Sequence, residues 1–437
     1  MPVGSNIEYI LRTVQERGVT FIRLWYGDVQ GTLKGIAFPV SELETVIEHG
    51  IGVDGSALEG GARLSELDVV ARPDISTFQV LPWRDNANVG RMYSALQMPD
   101  GTPFDGDPRA ALHAVMERAK GLGYQLSVGA EMEFYLFKPL TGDGPPELRE
   151  TGTYFDLTPT DIATDFRRTI IEFLEQLGIS LKASYHEAGP SQHEVVLKHD
   201  DPNTIADAIM TFRMAVKQAA INHDAHASFM PKPLAGQPGT GMHLHLSLFD
   251  DDDRNVFHDE TDPARPLSPI GEQFVAGLLI HAPEMALVTN QWVNSYTRLA
   301  DGFEAPSSIT WSRRHPNPLV RIPGRRPDRP QSARVELRSP DGGANPYLVL
   351  AMVLAAGLRG IERGYALPLE TPAGGADGRP LPKDLAEAID VFADSEFALE
   401  TLGPRIVEWL LANKRREWDA YRRTVSEFER QTYLPLL

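Results

Sequence analysis

The 437-residue sequence contains no cysteine, so neither a disulfide nor a thiolate metal site is open to it. That absence fits a reducing cytoplasm and leaves oxygen and imidazole as the ligands for any metal. Positive charge is scarce as well. Lys and Arg total 42 against 60 Asp and Glu, a formal net charge of −18, which argues against general affinity for nucleic acid or anionic membranes. The longest apolar helical run, Tyr347 to Leu358, is shorter than the about 20 residues that span a bilayer. No basic segment followed by an apolar core opens the chain, so no secretory signal is expected. Phosphate-loop and dinucleotide fingerprints are missing too, since the glycines of GQPGTGMH (Gly236 to His243) match neither. The expected partners are small molecules and further copies of the chain.

What is present is ordinary for a globular protein, with 42% apolar residues and length enough for two domains. Two apolar runs flanking GDVQG predict a hairpin between Val19 and Pro39. SELETVIEHG predicts a short helix, opened by a Ser41/Glu44 capping box and closed at Gly50. Strand-like runs at Thr77 to Trp83 and Arg91 to Gln97 complete a first unit over residues 1–105. Residues 106–437 form a second, larger one, opened by a helix that Asp107 and Pro108 start and Gly121 ends. Helical spacing recurs at Ile162, Phe166, Ile170, Phe173 and Leu177, and again over Thr204 to Asn222, Gly271 to Asn290 and Leu399 to Arg430. Strands are expected at GAEMEFYLF, HEVVLKH and GMHLHLSLF. The class predicted is α+β around an antiparallel sheet. Six prolines between Glu304 and Gln331 predict an irregular, arginine-bearing loop. The apolar ending TYLPLL is expected to dock somewhere.

The chemistry gathers on four segments. In GAEMEFYLF (Gly129 to Phe137), strand alternation puts Glu131 and Glu133 on one face of an apolar strand. Buried carboxylates are costly without partners, and a divalent cation is the natural one. Glu187 and Glu194 bracket a Gly-Pro turn, His243 and His245 share a strand face, and so do Arg334, Glu336 and Arg338. One such pair alone reads better as a solvated strand face; four in one chain reverse that preference. Five carboxylates and one imidazole suit two Mg²⁺ or Mn²⁺ ions better than one zinc. Metals lined by arginines point to phosphoryl chemistry, with the substrate left open.

At these residues the sequence resembles the glutamine synthetase family over nearly its whole length. The motifs are VDGSALEG (Val53 to Gly60), GAEMEFYLF, YHEAGPSQHEV (Tyr185 to Val195), MPKPLAGQPGTGMHLHLSL (Met230 to Leu248), NSYTRL (Asn294 to Leu299), GFEAP (Gly302 to Pro306) and RVELRSPDGGANPYL (Arg334 to Leu348). The resemblance implies an N-terminal β-grasp domain, a catalytic domain of antiparallel strands and helices, and a dodecamer of two stacked hexameric rings with active sites between neighbouring subunits. It implies that Glu133, Glu187 and Glu194 bind a first metal and Glu131, His243 and Glu336 a second. His245, Ser247, Arg321 and Arg334 fall where the family contacts ATP, and Arg298 and Arg338 where it binds glutamate. Gly239 lies in the loop receiving the amino acid's ammonium group. Asp54, Tyr154, Glu187 and Glu304 match the groups that hold and deprotonate ammonia. The implied reaction phosphorylates the glutamate γ-carboxylate with ATP and lets an amine displace phosphate.

Three departures bear on the acceptor and the phosphate. Ala57 stands where the family's DGSS motif has its second serine, and Pro238 where an asparagine is common in the glutamate loop. His315, Pro316 and Asn317 replace an Asn-Arg-Ser segment, removing an arginine that Arg313 or Arg314 would have to replace. Such changes resemble those of secondary members that join glutamate to organic amines, giving a slight lean from ammonia toward a small amine. The rival expectations are an ammonia-specific enzyme and a non-catalytic member kept for assembly or regulation.

Overall fold

The computed structural model describes residues 3–61, 66–83, 88–142, 144–157, 162–259, 261–262, 265–300, 304–324, 328–372 and 378–437. The first unit's strands are β1 (Phe21–Gly27), β2 (Leu33–Pro39), β3 (Ile51–Asp54), β4 (Asp68–Pro73), β5 (Gln79–Val80) and β6 (Val89–Gln97). They form one sheet in the order β2-β1-β6-β4-β3, with β5 beside β6. The expected hairpin is the β1–β2 pair, and β1 runs parallel to β6. Helix α1 (Val3–Arg17) precedes the sheet and α2 (Leu43–His49) covers it. Helix α1 was not anticipated, although Ile7, Ile10, Leu11 and Val14 recur at helical spacing; Ile10 is fully buried and Val14 packs against the same core. The Ser41 capping box does not form. Val40–Glu42 first make a 3₁₀ turn, so the helix begins after Glu42 with no side-chain cap.

The second unit carries β7 (Tyr124–Phe137), β8 (Leu181–His186), β9 (Gln192–Leu197), β10 (His226–Ser228), β11 (Met242–Asp250), β12 (Trp311–Ser312), β13 (Val320–Arg321) and β14 (Val335–Leu337). Their order is β12-β13-β14-β11-β7-β9-β8, with β10 also on β7. All pairs are antiparallel except β12 with β13. Thus the proline-rich segment is not wholly irregular; two short strands in it extend the sheet. Of this segment Arg325, Arg326 and Pro327 lie outside the described residues, as do Gly302 and Phe303 of GFEAP.

Its helices are α3 (Pro108–Gly121), α4 (Ile162–Gln176), α5 (Pro202–Asn222), α6 (Pro269–Thr289), α7 (Val293–Ala300), α8 (Pro346–Arg363), α9 (Leu385–Ala393), α10 (Glu396–Tyr421) and α11 (Glu427–Tyr433). Asp107 caps α3 as expected, accepting from the Arg109 amide at 2.9 Å. The run Tyr347 to Leu358 is the buried body of α8; a helix apolar on all sides belongs inside the protein. The helix expected over Leu399 to Arg430 is broken instead. Gly403 (φ 78°, ψ 162°) and Pro404 kink it, and it stops at Tyr421 before the short α11. Among the described residues no helix is long and apolar enough to cross a membrane. The tail Leu434 to Leu437 stays largely exposed in the single chain. We propose dividing the chain near Asp105, although Trp25, Val29 and Tyr93 of the first unit bury into the second unit's core.

Candidate active site

The site is made by strand register. Glu133 faces Glu194 across β7 and β9, and Glu131 faces His243 across β7 and β11. On the other side of β11, Glu336 of β14 faces His245, and Arg321 of β13 faces Glu336. Residues spread over more than 200 positions of sequence therefore meet on one sheet face.

His243 sits between the acids. Its Nδ1 lies 3.5 Å from Glu131 and 3.8 Å from Glu336, and its Nε2 lies 3.8 Å from Glu133. Glu131, His243 and Glu336 bring ligand atoms within 4.8 Å of one another. Glu336 is also held by Arg321 at 2.7 Å and Arg338 at 3.0 Å. Burial alone would raise the Glu336 pKa, but His243, Arg338, His245 and Arg321 outweigh it and hold the carboxyl below its usual range. Burial likewise opposes ionisation of Glu131, and its contacts with His243 and His245 overcome that.

The other acids are in the opposite condition. Burial and then the charge of Glu133 push Glu187 up to about 8, and burial with Glu131 and Glu133 raises Glu194 well above its ordinary value. Glu133 accepts from the Gly241 amide at 2.9 Å and Gln192 Nε2 at 3.0 Å, Glu187 accepts from the Ala188 amide at 2.9 Å, and Tyr185 donates to Glu194. Such a cluster repels itself unless protons or a cation compensate it. Hard anionic oxygens with one imidazole fit divalent ions of the Mg²⁺ or Mn²⁺ kind.

Around this floor stand the other expected residues. Arg298 of α7 is buried and donates to the Ser339 carbonyl at 2.7 Å. Gly239 presses on it so closely that a Cβ would come 2.7 Å from Arg298 Cγ and 2.5 Å from the Pro231 carbonyl, so only glycine fits. Arg338 reaches the Glu304 carbonyl at 3.2 Å, and Glu304 itself holds a left-handed backbone at φ 54°. The Tyr154 hydroxyl is pushed up to about 12 by burial and by the charges of Glu187, Glu194 and Glu304. Arg334 donates to His245 Nδ1 at 3.3 Å, and His245 Nε2 lies 2.8 Å from Glu131. Ser247 donates to the Ala333 carbonyl at 2.9 Å.

Among the described residues Asp54 makes no hydrogen bond or ion pair with this cluster. It caps a 3₁₀ turn in the first unit, where its Oδ1 accepts from the Ser56 amide at 3.0 Å and the Leu67 amide at 2.9 Å. Arg313, one of the two candidates for the missing loop arginine, is paired with Glu370 at 2.9 and 2.7 Å in the single chain.

Three supports were missed in the sequence. Gln192 joins Glu133 to the Gly239 carbonyl, at 3.0 and 2.9 Å; alternation with Glu194 on β9 was the available signal. Tyr185 is the cross-strand partner of Glu194, a pairing no local pattern reveals. Behind the acids, His186 bridges Glu150 at 2.8 Å and the Glu187 carbonyl at 2.6 Å. Glu150, His186 and His193 also converge within 4.8 Å, yet Arg167 donates to His193 Nδ1 at 2.9 Å. A guanidinium on the ring nitrogen makes this a hydrogen-bonded support rather than a cation site.

Similarity to known proteins over both units places the protein among ligases that form carbon–nitrogen bonds. The chain belongs to the glutamine synthetase family: the model "Glutamine synthetase, beta-Grasp domain" matches residues 18–99 and "Glutamine synthetase, catalytic domain" matches residues 105–433. It is 47% identical over 443 residues to the glutamine synthetase of Mycolicibacterium smegmatis, covering 98% of this chain and 99% of that one. To that of Mycobacterium tuberculosis it is 46% identical over 445 residues, with the same coverage of 98% and 99%. Among solved structures, a GmaS/ADP complex matches with TM-score 0.87 at 30% identity, covering 97% of this chain and 99% of that chain. Plasmodium falciparum glutamine synthetase has TM-score 0.87 at 22% identity, over 98% of each chain, a likeness of fold. The family is ATP-dependent and uses divalent metals.

Proposed function

We propose that the protein uses ATP to phosphorylate the γ-carboxylate of glutamate and joins the activated acyl group to ammonia or a small organic amine. The observation that carries this reading is the set Glu131, Glu133, Glu194, His243 and Glu336 on one sheet face, with Glu187 in the turn that follows β8, bordered by Arg298, Arg321 and Arg338. Two divalent ions bound there would neutralise phosphate oxygens during transfer.

The chain's own groups have distinct tasks. Arg298, Arg338 and the Gly239 loop bind and orient glutamate. His245, Ser247 and Arg334 hold ATP, and Arg321 steadies the transferring phosphoryl group beside Glu336. Glu304, Glu187 and Tyr154 receive the acceptor's ammonium, and Glu304 takes its proton. Asp54 completes that pocket in a neighbouring copy, which is why among the described residues of the single chain it makes no hydrogen bond or ion pair with the acids. This requires a closed homo-oligomer, for which we propose a dodecamer of two hexameric rings. Ala57 offers no hydroxyl beside Asp54, and this weights the acceptor slightly toward an amine.

Purified protein with ATP, Mg²⁺, glutamate and a panel of ammonia, short alkylamines, ethanolamine and polyamines tests the proposal by phosphate release and product mass. Release that depends on both glutamate and an acceptor is expected. Release no greater than background with every acceptor would leave a non-catalytic family member as the reading.

A further inference from the structure

A buried node on α10 touches both the loop that carries Asp54 and the helix that carries Arg298. At its centre Lys414 has a side chain with 0% exposure; its Nζ lies 2.9 Å from Glu417, 3.4 Å from Gln30 Oε1 and 3.8 Å from the centroid of the Trp292 ring. An ammonium withdrawn from water this completely is held there by its carboxylate and its aromatic face. An apolar side chain of similar length would fill the space without that cost, so packing alone does not account for a lysine.

From the node one arm runs to the glutamate side. Glu417 Oε1 accepts from the Val293 amide at 3.0 Å, the first residue of α7. Trp292, under the Lys414 cation, donates to the Gly343 carbonyl at 3.0 Å and fixes the approach to that helix. Arg298 lies on α7, one and a half turns further on.

The other arm runs to the acceptor side. Gln30 donates to the Gly60 carbonyl at 2.7 Å, Asn413 donates to the Glu59 carbonyl, and Arg416 lies 3.6 Å from the Glu59 carboxylate. A Cβ on Gly60 would come 2.7 Å from Gln30 Nε2, so the loop meets the node through bare backbone. Gly55–Glu59 is a single 3₁₀ turn with Asp54 as its N-cap and Gly60 as its C-cap. The node grips one end of a 3₁₀ segment whose other end is Asp54.

We propose that Lys414, with Gln30, Asn413 and Glu417, is a positioning node shared by two active sites. It sets the glutamate helix of its own subunit and the Asp54 turn that this subunit lends to its neighbour. This rests on the reading that Asp54 serves a neighbouring site and Arg298 binds glutamate. Occupancy of one site then biases the loop presented to the next through a contiguous, two-armed contact.

The test uses the intact oligomer and three arms. Lys414→Met is expected to raise KM for glutamate and for the acceptor together by about 2- to 30-fold, the range for coupling residues, with KM for ATP and the melting temperature little changed. Asn413→Ala removes one of the three contacts of the loop arm and leaves the Glu417 contact to α7 in place, so it is expected to raise the acceptor KM alone. Added to Asp54→Asn it should give no further increase, because both act through one group. If Lys414→Met fails to assemble, Asn413→Ala and Gln30→Ala carry the same expectation for the acceptor. An unchanged acceptor KM in Asp54→Asn would remove the underlying reading. A raised acceptor KM in Asp54→Asn beside unchanged KM values in the node variants, or a lowered melting temperature as their only effect, would overturn the node itself.

Discussion

Glu133 and Glu194 are direct cross-strand partners in β7 and β9. Like charges in that relation destabilise a sheet by roughly 0.2–1 kcal/mol per pair, and burial of Glu194 enlarges the penalty here. The pairing makes sense as a site that awaits a cation. Glu194→Gln removes the repulsion and keeps an oxygen to accept from Tyr185. The metal-free variant is therefore expected to melt higher than the parent, while Mg²⁺ raises its melting temperature less. Calorimetry with and without Mg²⁺ reads both; a metal-free variant that melts lower would refute the charge argument.

Glu187 makes a pH prediction. Its folded carboxyl is pushed up to about 8 from an ordinary 4.5, so the folded metal-free state binds more protons than the unfolded state between those values. Stability contributed by this group is greatest below about 4.5 and declines as pH rises toward 8. A cation that binds there must displace the proton. Mg²⁺ titrations at pH 7 in two buffers of different ionisation enthalpy should show proton release, and affinity should increase from pH 6.5 to 8.5. Heats independent of the buffer would contradict this.

Glu336 holds together His243, Arg321 and Arg338. Glu336→Ala removes an anionic ligand and leaves two guanidinium groups facing the imidazole. The expected loss in kcat/KM for ATP exceeds about 100-fold, above the 10- to 100-fold typical of outer-shell partners. Unchanged turnover and metal content in this variant would return β14 to an ordinary sheet strand.

Ala57 is exposed at the middle of the 3₁₀ turn that Asp54 caps. Ala57→Ser restores an acceptor for an ammonium ion, worth about 1.5 to 3 kcal/mol for a charged donor, or about 10- to 150-fold. The ratio of catalytic efficiencies should shift toward ammonia by up to that amount. Glu304→Ala is expected to impair ammonia and amines alike, because both must lose a proton there. A parent enzyme that uses ammonia far better than every amine tested would end the lean toward an amine.

Local pattern in the sequence determined much of this protein. Alternation along GAEMEFYLF and GMHLHLSLF set which acids and imidazoles share a face, since a strand's side chains must alternate. Asp107 with Pro108 set the start of α3, and the apolar run in α8 set a central buried helix. The pattern also failed in places where several local outcomes differ little in energy. Ser41 was available as a cap, yet a 3₁₀ turn displaced the helix start. Helical periodicity continued past Gly403 and Pro404, where the backbone kinks.

Only the tertiary structure decided the pairings, because register joins strands that are far apart in sequence and leaves no local trace. It put Tyr185 against Glu194, placed Gln192 between Glu133 and the Gly239 loop, and bound Arg313 to Glu370. It also buried Lys414 between Gln30, Trp292 and Glu417. In the sequence that lysine is one charge in a charged helix; its isolation from water comes from packing against Trp292 and against Gln30, which is 384 residues away along the chain.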